Sequence, residues 1–206
     1  LSILEALRKL NFKGSIWFSS SVAVYGSSTG FKLKESFEPK PISPYGISKF
    51  SAENYCKYYN KEYGLKIGIL RLFSTYGPNL RRQVVYDLYN KIKKNPKEII
   101  LTSKVGDSRD MSFIDDMARA IVCLNKNIDP NGDIINIGSG IETKIFDIAK
   151  MITKILNCSC EIKYTDNSNT FDGKSWVADI SKLKQLDFKY KYGIEEGLKK
   201  TIDKWR

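Results

Sequence analysis

Residues 14–20 (Gly-Ser-Ile-Trp-Phe-Ser-Ser) and 66–72 (Lys-Ile-Gly-Ile-Leu-Arg-Leu) each read as a short, mostly apolar strand, and a helix with both ends marked lies between them. Ser43 and Pro44 supply an N-cap and a first-turn proline, and Gly64 supplies the stop. Apolar strands of this kind belong to parallel sheets whose two faces are both covered by helices. The rest of the chain keeps alternating. A helix tail over 4–10 precedes the first strand. Further helices are expected over 83–94, ended by Pro96, and over 112–125 and 143–157, with strands over 98–101, 133–137, 160–164 and 175–178. Two last helices are expected, one begun by Asp179 and one over 194–205. The pattern predicts an α/β fold, a parallel helix-covered sheet with a smaller lobe, and it shows no internal repeat.

The first strand delivers Ser19, Ser20 and Ser21 to the carboxyl edge of the sheet, where open α/β folds bind ligands. Tyr45 opens the helix and Lys49 follows one turn later on the same face. A free phenol is a poor base at neutral pH, but a fixed cation beside it favours the phenolate. Lys49 is the candidate cation, Tyr45 the candidate base, and Ser21 the hydroxyl that can both donate and accept as the proton moves. The spacing alone decides little, because Tyr89 and Lys93 repeat it on a helix that reads as structural. A solvated helical pair is the competing reading of Tyr45 and Lys49. The serine strand and the Pro-Tyr start favour the site.

Composition narrows the class. The 206 residues are 42% hydrophobic, enough for a sizeable core, and no run approaches the length of a membrane span. Neither a signal peptide nor a membrane is implied, so a cytoplasmic protein is expected. The four cysteines, Cys56, Cys123, Cys158 and Cys160, come with no histidine and form no zinc pattern, so no metal is expected and reduced thiols are. The net charge of +11 is spread over many segments without a recognition helix or RNA-binding aromatics. It argues for attraction to small anions and against nucleic acid as the partner.

Four segments then carry a resemblance: Phe18 through Gly26 (FSSSVAVYG), Pro44 through Lys49 (PYGISK), Arg71 through Pro78 (RLFSTYGP), and Ser108-Arg109-Asp110 through Asp115-Asp116. In this order they resemble the NAD-dependent epimerase/dehydratase family, the extended branch of the short-chain dehydrogenases, and most closely its UDP-glucose 4-epimerases. The resemblance implies the C-terminal part of a Rossmann-like parallel sheet with a smaller α/β substrate-binding lobe. It implies NAD as cofactor, held by Ser19, Ser20, Tyr45, Lys49, Leu72 and Phe73, the last two lining the nicotinamide side. It implies a nucleotide sugar, UDP-linked by preference, as substrate, met by Ser21, Ser74, Arg82, Gln83, Arg109 and Asp172. Ser74 stands where the family commonly has asparagine, and Asn169 where many epimerases carry arginine. Arg81 and Arg82 suit a pyrophosphate or a solvated turn equally well. Asp115 and Asp116 read as stabilisers of a helix N-terminus, and Asp179 as a helix cap. A homodimer is implied for the full-length protein.

A Gly-x-Gly-x-x-Gly turn after a strand is missing. Gly138-Ser139-Gly140 is the nearest candidate, but Thr143 occupies the third glycine's place and reads as a helix N-cap. The family's fingerprint lies in an N-terminal half-domain ahead of where this sequence begins. The expectation is therefore a fragment that holds NAD weakly and exposes a strand edge. Its expected division is 1–79, part of the dinucleotide-binding domain; 80–105, a substrate-lobe segment; 106–139, a return to the first domain; and 140–206, a C-terminal substrate-binding lobe. The implied reaction is 4-epimerisation of a UDP-hexose through a transient 4-keto sugar. A 4,6-dehydratase needs an Asp-Glu pair where this chain has Val22 and Ala23, which argues against it. A reductase or decarboxylase, and an inactive fragment that only binds nucleotide sugar, stay as alternatives.

Overall fold

In chain order the elements are α1 (Ser2–Lys9), β1 (Ile16–Ser21), a 3-10 turn (Val22–Tyr25), α2 (Pro44–Tyr63), β2 (Ile67–Leu72), β3 (Ser74–Tyr76), α3 (Gln83–Lys94), β4 (Glu98–Leu101) and β5 (Ser108–Phe113). They continue with α4 (Ile114–Asn127), β6 (Ile134–Ile137), β7 (Glu142–Lys144), α5 (Ile145–Leu156), β8 (Glu161–Tyr164), β9 (Ser175–Trp176), α6 (Ser181–Lys184) and α7 (Ile194–Asp203). This is a computed structural model that describes residues 1–27, 31–165 and 175–206.

The ends of α2 form as its sequence dictates. Ser43 Oγ accepts from the Gly46 amide at 3.1 Å, Pro44 takes the first turn, and Gly64 closes the helix in the left-handed region. β1, β2 and β6 make a parallel sheet in the order β1-β2-β6, with β2 in the middle and nearly wholly buried. Ser21 pairs with Leu72 and Leu72 with Ile137, so these three residues form a row at the carboxyl edge of the sheet. A second sheet runs β3-β5-β7 with β9 also on β5, and β4 pairs with β8.

Three segments read as loop or helix from the sequence are short strands. β3 and β5 pair in parallel, and β7 pairs antiparallel with β5. Thr143 therefore lies within β7 instead of capping α5, whose N-cap is Lys144 without a side-chain bond. The helix expected from residue 112 starts at Ile114, because Ser112 and Phe113 are held as strand by Thr75 and Tyr76 of β3. Each of these strands gains its hydrogen bonds from partners distant in sequence, which local periodicity does not report.

The apolar side chains gather in three clusters. One is built on β2 and β6 with Val22, Val24, Phe73, Met117 and Leu124, and residues 178–190 pack onto it. A second lies between α3, α5, α7 and β5. A third joins α1 and α2 to the start of β2. Among the described residues no helix is long and apolar enough to cross a membrane.

Candidate active site

The strand alternation sorts the three serines. Ser20 is buried and its hydroxyl donates to Glu53 Oε1 at 2.6 Å, so it is turned into the core. Ser19 is exposed and its carbonyl accepts from Lys49 Nζ at 2.8 Å. Ser21 ends the strand, and its Oγ accepts from the Ala23 amide at 3.2 Å, starting the 3-10 turn. A hydroxyl that accepts one bond in this way keeps its proton to donate elsewhere.

Tyr45 and Lys49 stand on consecutive turns of α2. The Lys49 ammonium lies 5.8 Å from the Tyr45 ring centre and 5.3 Å from that of Phe18 on β1. The Tyr45 side chain is 56% exposed, open to a substrate. Gly46 explains how the helix start comes so near the serine strand. A Cβ there would stand 2.5 Å from the Ala23 carbonyl oxygen, so only a residue without one lets α2 abut the 3-10 turn. The fold thus gathers the Ser19 carbonyl, Ser21, Tyr45 and Lys49 at the carboxyl edge of β1.

Leu72, half-buried, sits beside Ser21 in the sheet register. Phe73 is buried beneath the same edge, its ring 6.5 Å from that of Tyr25, so its contribution is packing from below. Ser74 begins β3 and is half-buried. Arg82 is the exposed N-cap of α3, and Gln83 opens that helix with φ of 66°, a left-handed conformation that a non-glycine residue adopts at a cost. Asp172 and Asn169 lie outside the described residues, as does Phe171, the start of the 171–176 segment that the sequence offers as a cover for the substrate.

Arg109 is brought toward the serine strand by Trp176, for which the sequence offered no such bridging role. Its guanidinium stacks on Trp176 at 5.2 Å from the ring centre, and the Trp176 indole N–H donates to the Gly26 carbonyl at 2.9 Å, just past the 3-10 turn. An aromatic residue in a two-residue strand has no periodic signature to reveal such a bridge.

The Gly138-Ser139-Gly140 turn is filled from within. The buried Asp110 carboxylate accepts from the Ser139 amide and hydroxyl, both at 2.6 Å, from the Gly140 amide at 2.8 Å and from the Ala178 amide at 3.0 Å. A Cβ on Gly138 would stand 2.7 Å from Asp110 Oδ2. Burial pushes the Asp110 carboxyl up from its ordinary range, and the donors around it oppose that shift. Asp116 has a comparable post. Beyond its place in the first turn of α4, it is fully buried and accepts from the Lys191 and Tyr192 amides at 2.9–3.0 Å. Asp179 accepts from the Ser181 amide at 2.9 Å ahead of α6. The second Tyr-x-x-x-Lys pair is structural. Tyr89 is buried and donates to the Trp205 carbonyl at 3.0 Å, with Lys93 on its oxygen at 3.1 Å.

Compared with known proteins, residues 1–138 match the model of the NAD dependent epimerase/dehydratase family. The chain belongs to that family. A putative UDP-glucose 4-epimerase of Methanocaldococcus jannaschii is 32% identical over 209 residues, covering 98% of this chain and 66% of that protein. Among solved structures, UDP-glucuronic acid 4-epimerase from Bacillus cereus, crystallised with UDP-glucuronic acid and NAD, superimposes with a TM-score of 0.87 at 31% identity, covering 98% of this chain and 64% of that one. The UDP-N-acetylglucosamine 4-epimerase of Methanobrevibacter ruminantium, in complex with UDP-N-acetylmuramic acid, gives 0.87 at 29% identity, covering 99% and 66%. The chain thus spans just under two thirds of the length of each of these family members.

Proposed function

We propose that this chain carries the base, its cation and the substrate-binding lobe of an NAD-dependent nucleotide-sugar 4-epimerase acting on a UDP-hexose. The observations that carry the reading are that Lys49 bonds the Ser19 carbonyl and lies 5.8 Å from the Tyr45 ring centre, and that Gly46, next to Tyr45, abuts Ala23, two residues past Ser21. The relatives support the UDP-sugar class, and they name different sugars.

The described residues fit the nicotinamide end of the dinucleotide. Lys49 and the exposed Tyr45 face the open edge, and Leu72 supplies an apolar wall beside Ser21. They offer no cradle for its pyrophosphate, because the Gly138-Ser139-Gly140 turn is closed on Asp110. When bound, NAD supplies the place for a hydride taken from, and returned to, the sugar C4. The chain's own work is with the proton. Tyr45, held as phenolate by the Lys49 charge, accepts it from the 4-hydroxyl and becomes the neutral phenol, Ser21 bridges the two oxygens with its free O–H, and the proton returns to the sugar oxygen when the keto form is reduced. The sugar passes through a 4-keto form, and return of hydride to its other face inverts the centre.

In this reading Arg109 meets the diphosphate, with Arg82, Gln83, Ser74 and Asp172 as further contacts, and its stacking on Trp176 supports that role. The strained backbone of Gln83 supports a functional use of that residue. The division into 1–79, 80–105, 106–139 and 140–206 belongs to this reading, although the two larger apolar clusters cross it, since residues 178–190 pack with the first and Tyr76, Met111 and Phe113 with the second. A cytoplasmic homodimer through α2, whose Ile47, Tyr55 and Tyr58 are exposed, belongs to it as well.

Dehydration would need an acid and a base beside Ser21. Val22 is buried there and Ala23 carries no proton, which favours epimerisation. The test is NMR of UDP-glucose and UDP-galactose incubated with the full protein and NAD. Interconversion that Tyr45→Phe lowers by about 100- to 10,000-fold supports the reading. A 4-keto-6-deoxy product refutes it in favour of dehydration, and no change in any UDP-hexose, N-acetylated and acidic ones included, refutes the substrate class.

A further inference from the structure

Below the candidate active site, and outside the chemistry assigned to it, lies a charged pair sealed in the core. Glu53 is fully buried and Arg71 is 1% exposed. Arg71 Nε donates to Glu53 Oε1 at 3.0 Å and Nη2 to Oε2 at 2.8 Å, a two-pronged contact, and Ser20 completes the carboxylate at 2.6 Å. The remaining guanidinium nitrogen donates to the Glu35 carbonyl at 3.3 Å, and the guanidinium carbon lies 4.6 Å from the centre of the Tyr25 ring. The Tyr25 hydroxyl in turn donates to Asn136 Oδ1 at 2.7 Å.

Three elements of the candidate site therefore meet on one buried ion pair, Ser20 through the carboxylate and Tyr25 through the guanidinium. Glu53 belongs to α2, Ser20 to β1 and Tyr25 to the 3-10 turn that Ser21 begins. Tyr45, Lys49 and Glu53 recur every four residues and so stand on successive turns of one helix face. Any rotation or slide of α2 that carried Tyr45 and Lys49 away from the serine strand would pull Glu53 off Arg71 and Ser20.

Two packed apolar side chains would hold the helix with comparable strength, because desolvating an ion pair offsets much of its attraction. They would not set its rotation, whereas a two-pronged carboxylate–guanidinium contact has one geometry. We infer that the Glu53–Arg71 pair, with Ser20, is a positioning device that sets the rotation and register of α2 on β1, keeping Lys49 on the Ser19 carbonyl and Tyr45 beside Ser21. This inference rests on the epimerase reading for its effect on turnover, and not for its effect on where Tyr45 sits.

The test makes Glu53→Gln in the full protein and, separately, the apolar pair Glu53→Met with Arg71→Met. Turnover is followed with UDP-sugars, and the Tyr45 environment by fluorine NMR of protein labelled with 3-fluorotyrosine, assigned through Tyr45→Phe. Glu53→Gln is expected to lower kcat by about 100-fold, as a misplacement near 1 Å does, while KM changes by less than about threefold. The Tyr45 resonance is expected to shift or broaden while that of Tyr89, packed in the other large cluster, stays in place. The apolar pair is expected to match the wild-type melting temperature and still show low kcat and a displaced Tyr45 resonance. Wild-type kcat with an unmoved Tyr45 resonance in either variant overturns the inference. Should the wild type turn over no UDP-hexose, the epimerase reading fails, and the fluorine spectra still decide the positioning role.

Discussion

Replacing Asp110 by alanine should destabilise the chain more than any single change in its catalytic cluster. Its two carboxylate oxygens accept three backbone amides and one hydroxyl, all at 2.6–3.0 Å, and the Asp110 side chain itself is fully buried. Alanine leaves the Ser139, Gly140 and Ala178 amides without an acceptor, whereas the Ser139 hydroxyl can turn to the Ile141 carbonyl, 3.4 Å away. At roughly 1–3 kcal/mol for each orphaned buried donor, the loss is about 3 kcal/mol even at the low end. That is a large share of the ~5–15 kcal/mol that holds an ordinary domain together. Asparagine should cost less. Its amide can donate to Ser139 Oγ while its oxygen keeps the Gly140 and Ala178 amides, orphaning one donor for about 1–3 kcal/mol. Urea unfolding followed by tryptophan fluorescence reads the difference. With a slope near 2 kcal/mol per molar urea, the alanine midpoint should fall by about 1.5 M or more and the asparagine midpoint by about half that or less. Hydrogen exchange adds a local check, since the Ser139, Gly140 and Ala178 amides should lose protection first. An alanine variant no less stable than the asparagine one, or one that keeps those three amides protected, would refute the reasoning.

Gly46→Ala should push the first turn of α2 off the Ala23 carbonyl, which its new Cβ would meet at 2.5 Å; steady-state kinetics should show kcat down by about 100-fold from the displaced Tyr45. Tyr89→Phe should cost about 1 kcal/mol for its lost bond to the Trp205 carbonyl, with turnover unchanged, and equal losses of activity in Tyr89→Phe and Tyr45→Phe would contradict the assignment. The docking of α1 on α2 should depend on pH at both extremes. Arg8 and the Tyr59 hydroxyl hold the Glu5 carboxyl down at about 2, from an ordinary 4.5, and the same contact pushes the Tyr59 phenol up to about 12, from 10. The Glu5 contribution is complete above 4.5 and disappears as pH falls through about 2, and the Tyr59 contribution is complete below 10 and disappears as pH rises through about 12. Tyrosine fluorescence of Glu5→Gln across both ranges checks this, and a wild-type profile matching that variant would contradict it.

The placement of the candidate cluster was legible because its signals are local. Ser43 and Pro44 announce where α2 begins, the four-residue interval puts Lys49 one turn beyond Tyr45, and a run of serines closing an apolar strand marks a sheet edge. The resemblance extended that reading to Arg109, and the stacking of Arg109 on Trp176 supplies a physical means of holding it. Ser20 shows where the local reading stopped. Three adjacent serines look alike in sequence, and strand alternation turns the middle one inward onto Glu53.

Trp176, Glu53 and Asp110 were not legible as actors, since each works through a partner far along the chain: Gly26, Arg71 and the turn at 138–140. Strands β3, β5 and β7 escaped for the same reason, their ladders being made between segments tens of residues apart for most pairs. What the amino-acid order determined by itself was the repertoire of helices and buried strands, through capping, spacing and apolar runs whose energies act within a turn or two. Tertiary structure decided that the 138–140 glycine turn is filled, which serine faces out, and how α2 is rotated on the sheet. Those outcomes depend on desolvated charges and close backbone approaches, which exist only once distant segments have packed.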